Sequence, residues 1–204
     1  MKIIKYKKGS NGKYKLFLED GTTFDTYEDV ILNNNLLYKK EIDNNLYNVI
    51  INDNMYEEAY NKSVSYIEVR LRSTNEIKVY LKNKKYSEEV IESTINRLLK
   101  NNILNDEIFT KAFINDKLNF TTMGPYKIEL ELKKHYIDTN IINTYINNID
   151  EEILYEKIDK LITKFMKTNK KHKGFVLKNK IYNNLLNLGY KSSMILEILN
   201  NYEF

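Results

Sequence analysis

Three stretches of this chain repeat one another at near-constant spacing, and that repetition constrains the fold more than any other feature. They read IKVYLKNKKYSEEVI, IELELKKHYIDTNII and IYNNLLNLGYKSSMI. Ile77 and Leu81 recur 51 residues on as Ile128 and Leu132, and a further 53 on as Ile181 and Leu185. Tyr86, Ile137 and Tyr190 keep the same spacing, as do the pairs Val90/Ile91, Ile141/Ile142 and Met194/Ile195. Apolar residues four apart share one face of a helix, so each copy reads as a helix, a tight turn and a second helix. A longer helix precedes each: Phe113 lies 15 residues before Ile128, as Met166 does before Ile181. The unit is three helices. Three copies predict nine helices in an elongated, curved array that buries its faces against neighbours and leaves a long surface for a partner.

The local signals agree. One proline and six glycines in 204 residues leave few strong breakers, and a 42% apolar share can build a core. STNE has the capping-box pattern, with Ser73 as N-cap and Glu76 reaching back. Ser87, Asn105 and Asp138 stand as further N-caps, the first two followed by acids that suit the positive end of a helix, and Asp150, Glu151 and Glu152 open another helix. Pro125 after Gly124 fits a first helical position. In ILNDEIFTKAFINDKL, Ile108, Phe109, Ala112 and Phe113 form the expected apolar stripe. Residues 1–54 differ: short β-leaning runs around GSNG and EDG predict two or three antiparallel strands over 2–25, then a short helix capped by Thr26. The first long helix is expected over about 55–72, using Tyr56, Ala59, Tyr60, Ser63, Ile67 and Leu71. The expected organisation is a β-containing extension over 1–54 and three-helix repeats over 55–104, 105–149 and 150–204.

Catalytic chemistry finds no candidate. Cysteine is absent, which excludes disulfides and thiolate metal sites. His135 reads as a helix-end surface residue, and His172 lies in a basic loop that would repel a cation. The carboxylate pairs Glu88/Glu89, Asp106/Glu107 and Glu151/Glu152 all fall at expected helix starts, where the dipole explains them. GSNG lacks the lysine of a phosphate loop and reads as a hairpin turn. No cofactor and no metal are expected. The amino-terminal residues are charged, with no apolar signal core, and no apolar run reaches membrane-spanning length, so a cytoplasmic protein without membrane contact is expected.

Charge is mildly basic overall, at +4, but unevenly placed. Lys160 to Lys191 holds nine lysines and no acid, and the first eighteen residues hold six lysines and no acid. Such stretches suit a polyanion or an acidic protein surface, and they are equally what a solvated, lysine-rich face looks like. The candidate contacts are Arg70, Arg72 and Arg97, then Lys127, Lys133 and Lys134, then Lys164, Lys167, Lys170, Lys171 and Lys173.

LNDEIFTKAFINDKL followed by GPYKIELELKKHYID resembles the central motif of the RecX family, regulators of the RecA recombinase. The pattern is Leu104, Asp106, Phe109, Ala112 and Phe113, then Gly124-Pro125, Ile128, Leu132 and Ile137. The resemblance covers about residues 55–200 and is most specific over 73–142. It departs in two ways. Glycine after the second helix of each unit survives only at Gly189, with Lys85 and Tyr136 in the other places, which puts the left-handed cap geometry there in question. Lysine also replaces much of the family's arginine. The resemblance implies a monomeric regulator without chemistry. Such a protein binds along RecA filaments, inhibits strand exchange and ATP hydrolysis, and modulates recombination, DNA repair and the SOS response. Single- or double-stranded DNA is a further partner. A stand-alone DNA-binding helical repeat protein is the alternative.

Overall fold

In a computed structural model, described at residues 1–10 and 12–204, the chain forms a small sheet followed by helices. Strands β1 (Ile3–Lys8), β2 (Lys13–Leu18) and β3 (Thr23–Tyr27) make an antiparallel meander in the order β1-β2-β3. The turn expected at GSNG includes Asn11, which lies outside the described residues. Short helices α1 (Glu28–Asn33) and α2 (Leu36–Lys39) follow. Thr26 does not cap α1. Its hydroxyl is buried and donates to Asn54 Oδ1 at 2.8 Å, a tertiary bond that outcompetes the local one.

Three groups of three helices come next. The first is α3 (Asn44–Val69), α4 (Thr74–Asn83) and α5 (Glu88–Lys100). The second is α6 (Asp106–Phe120), α7 (Pro125–Lys134) and α8 (Thr139–Asn147). The third is α9 (Glu151–Thr168), α10 (Gly174–Leu188) and α11 (Ser192–Leu199). The described residues divide into two compact units, Met1–Leu104 and Asn105–Phe204.

The predicted helix over 55–72 is wrong at both ends. It begins at Asn44, where Asp43 accepts from Leu46 N at 2.7 Å, and it ends at Val69. The segment NNLYNVIINDN hides this start, because asparagine is a poor helix former. The extra turns are held by burial: Ile50 packs under the sheet with Leu16, Leu18 and Val30, while Ala59 of the same helix joins the core of Ile77, Leu81 and Leu98. One rod therefore serves two cores. Leu71, past the helix end, is exposed rather than part of the stripe. Ile108 is likewise exposed, whereas Phe109 and Ile114 are buried and Phe113 is half-buried.

The repeat positions form the core. Ile77, Ile128 and Ile181 and their partners Leu81, Leu132 and Leu185 are all buried. Each helical group has its own apolar cluster. The caps expected at Ser73, Ser87, Asn105 and Asp138 all accept from backbone N–H groups, as Asp150 also does, and Ser73 and Glu76 form the full capping box.

The second helix of each group ends in the same turn. Lys85, Tyr136 and Gly189 have φ of 65°, 57° and 94°. Lys85 N bonds Lys82 O while Tyr86 N bonds Leu81 O, and the same two bonds recur at Tyr136/Ile137 and Gly189/Tyr190. This is the Schellman pattern, with Tyr86, Ile137 and Tyr190 supplying the apolar residue after it. The left-handed cap therefore survives where glycine does not.

Candidate partner-binding surface

The three arginines are held by the protein itself. The Arg70 guanidinium pairs with both carboxylate oxygens of Glu76, at 2.6 and 3.2 Å. Arg72 lies with its guanidinium 3.7 Å from the centre of the Tyr66 ring and donates to Tyr66 O, and Tyr66 stacks on Tyr80 at 4.2 Å. Its side chain is only 10% exposed. Arg97 bridges three elements: it pairs with Glu57 of α3 and Asp29 of α1, and sits 4.0 Å over the Tyr60 ring. Glu57 is buried, so this pair is part of the packing between the sheet region and the first helical group. These are the contacts a planar, weakly hydrated cation makes best.

The lysines of α7 are divided. Lys133 pairs with Glu129 at 2.6 Å and Lys134 with Glu131, one turn away on the same helix. Lys127 is exposed on the first turn, about 10 Å along the axis from the other two. The remaining candidates form a contiguous run. Lys164 and Lys167 end α9, and Lys170, Lys171 and Lys173 fill the connection to α10. All five are exposed, and none enters an ion pair among the described residues. Helix α10 starts beside them with no side-chain cap and no acid in its first turn. Its first apolar residues, Phe175 and Val176, face solvent, with Phe175 76% exposed. Phe175 was not among the expected contacts, although KKHKGF places an aromatic close after the lysines.

Two other features differ from expectation or escaped it. His135 is not a simple surface residue: its ring packs edge-on to Phe109 and Phe113, at 5.3 and 5.2 Å between centres. His172 lies 2.6 Å from the Lys180 ammonium through Nε2. An open groove of about 620 Å³ runs between β2, α3 and α4, lined by Lys13, Lys62, Tyr66, Val69 and Tyr80. Both of its lysines contact Glu58, which lowers its net positive charge. Among the described residues, no cluster of histidines and carboxylates could hold a metal ion, and no helix is long and apolar enough to cross a membrane.

Three tandem three-helix groups that follow a small sheet in the chain, each with the same left-handed turn after its second helix, define a helical-repeat protein. Comparison with known proteins makes this particular. A family model described as the first three-helix domain of RecX matches residues 59–98. Regulatory protein RecX of Finegoldia magna is 29% identical over 204 residues, covering 96% of this chain and 98% of that protein. Regulatory protein RecX of Halalkalibacterium halodurans is 28% identical, covering 95% of this chain and 74% of that protein. A crystal structure of a regulatory protein RecX superposes with a TM-score of 0.86 at 21% identity, over 98% of this chain and 99% of that one. The RecX structure from Lactobacillus salivarius gives 0.69 at 25% identity, over 72% and 96%. Over most of its length the chain is thus similar to regulatory proteins RecX, and residues 59–98 match that family's first three-helix domain.

Proposed function

We propose that this protein acts without catalysis, as a cytoplasmic monomer that binds along RecA filaments and inhibits their strand exchange and ATP hydrolysis. Its three helical repeats, over 55–104, 105–149 and 150–204, present successive faces to the filament. The observation that supports this reading most is the contrast among its cations: Lys164, Lys167, Lys170, Lys171 and Lys173 are exposed and outside the protein's own ion pairs, whereas Arg72 and Arg97 are committed within it. The lysine run, with Lys127, is the proposed contact. Arg70, Arg72 and Arg97 support it by holding the first repeat in shape. RecA-mediated strand exchange and ATPase, measured with and without the protein, test this reading. Loss of both activities at substoichiometric protein is expected, and unchanged activities overturn it.

A second reading, direct binding to DNA, draws on the exposed Phe175 beside the same lysines, since an aromatic among cations can stack on an unpaired base. Tight binding to naked single-stranded DNA by a protein that leaves RecA untouched would favour it.

A further inference from the structure

The left-handed turn occurs three times, yet only one copy keeps glycine, and the reason lies in what stands next to it. An added Cβ at Gly189 would meet Lys127 N at 2.7 Å. An added Cβ at Gly124 would meet the Gly189 carbonyl carbon and oxygen at 2.6 Å and Tyr190 N at 2.8 Å. The two glycines thus let one backbone lie directly against another. Tyr136, in the equivalent turn, is 78% exposed, and Lys85 is exposed as well. Glycine is retained at the turn that meets a neighbouring helix start, not wherever φ is positive.

The contact also completes hydrogen bonding. Helix α7 starts with no side-chain cap and no acid in its first turn, so its first N–H groups need partners elsewhere. The end of α10 supplies them: Gly124 N donates to Leu188 O at 2.7 Å and Tyr126 N to Gly189 O at 3.1 Å. The carbonyl end of one helix meets the amide end of another, the favourable sense of two helix dipoles. Tyr190, buried beside the turn, points its hydroxyl at the Thr122 and Met123 carbonyls, 3.4 and 3.5 Å away. A second tie joins the same groups: the half-buried ammonium of Lys157 in α9 donates to Leu118 O and Lys117 O at the end of α6.

We infer that Gly124 and Gly189 form a backbone latch that makes the second and third helical groups one rigid body, and that they are positioning residues for partner binding by the lysine run. The latch itself concerns the free protein. Its role in positioning rests on the filament reading above.

The decisive variant is Gly189→Asn, because asparagine tolerates a left-handed backbone and any effect then belongs to the added side chain. In the free protein, hydrogen exchange at the Gly124 and Tyr126 amides should speed up by about tenfold or more, while amides inside α7 and α10 keep their protection. Tyr136→Ala, with the same φ and an exposed side chain, should change neither. Unchanged exchange at Gly124 and Tyr126 in Gly189→Asn overturns the latch, as does loss of protection throughout both helices at once. Should that variant not fold, residual dipolar couplings of the wild-type protein still decide: α7 and α10 should fit one alignment tensor, and a need for two overturns the latch. The functional arm is inhibition of strand exchange. Gly189→Asn should need about tenfold more protein for half inhibition, with Tyr136→Ala like wild type. If Gly189→Asn opens the junction yet inhibits equally, the positioning role fails. If the wild-type protein does not inhibit at all, the filament reading fails, and the exchange and coupling measurements still decide the latch.

Discussion

The first and third helical groups share one frame and use their cations in opposite ways. In the first, Arg70, Arg72 and Arg97 are drawn onto Glu76, Tyr66, Glu57 and Tyr60, and they tie helices α3, α4 and α5 to each other and to α1. In the third, Lys164, Lys167, Lys170, Lys171 and Lys173 stand in solvent around the end of α9 and the start of α10. The frame cannot account for the difference, because Ile77 and Leu81 occupy the same buried positions as Ile181 and Leu185. What separates the groups is side-chain chemistry. A guanidinium can stack on tyrosine and fork onto a carboxylate with little loss of hydration, while an ammonium keeps its water and stays outside. The same three-helix frame can therefore be braced by arginine in one group and carry open lysines in another.

The shared frame makes the strongest demand. Leu81→Ala and Leu185→Ala, both at fully buried sites, should each lower stability by about 2–5 kcal/mol in urea unfolding. If one is nearly silent, the two groups are not built alike and the comparison breaks. The bracing comes next. Arg97→Ala leaves the buried Glu57 carboxylate without its guanidinium and strips the cover from Tyr60, so a loss of about 1–3 kcal/mol is expected. A loss below about 0.5 kcal/mol, the range of an ordinary surface change, would return Arg97 to the set of available cations.

Much of the frame was legible in the sequence because it is written locally. Ser73, Ser87, Asn105, Asp138 and Asp150 cap their helices through atoms two or three residues away, and the 51- and 53-residue spacing marks the buried faces directly. Where the deciding partner is distant, the reading fails. Nothing near Arg97 announces Glu57, 40 residues earlier. Thr26 has a good capping pattern and bonds Asn54 instead. The start of α3 lies in an asparagine-rich stretch that is held helical in part by burial of Ile50 against the distant sheet. The loss of glycine at Lys85 and Tyr136 put their turns in doubt, yet φ stays near 60° at both, since the two turn bonds hold a residue whose side chain can point outward. For the candidate surface, sequence named eleven cations but had no means of ranking bound arginine against open lysine.

The turn of the third group carries a pH signature that the first should match only weakly. Burial pushes the Tyr190 phenol well above its ordinary value of 10.0, so the folded state favours the neutral form. Its contribution is fully present below pH 10.0 and is lost as pH rises beyond it. Tyr86, its counterpart, is also raised by burial but lies beside Lys62, which favours the ionised form. Tyr190→Phe should cost about 1 kcal/mol or less at neutral pH, where only weak hydrogen bonds are lost. Above pH 10.0 its stability should fall less steeply than that of the wild-type protein. Parallel curves would mean that the phenol is not held neutral at the junction.

The smallest expected change in stability comes with the most direct test of the open cations. Lys170, Lys171 and Lys173 lie between α9 and α10, exposed, with no ion pair to lose among the described residues. Replacing all three with glutamate should move stability by no more than about 0.5 kcal/mol, and the new acids should suit the uncapped start of α10. Affinity for the filament, or for single-stranded DNA if that reading holds, should fall by about tenfold or more, with a shallower dependence on salt. The salt slope is the sharper measurement, because a variant that merely disturbed the loop would weaken binding without changing how many cations take part. Equal affinity and an equal slope would remove the lysine run from the proposed contact, and with it the contrast between the braced first group and the open third.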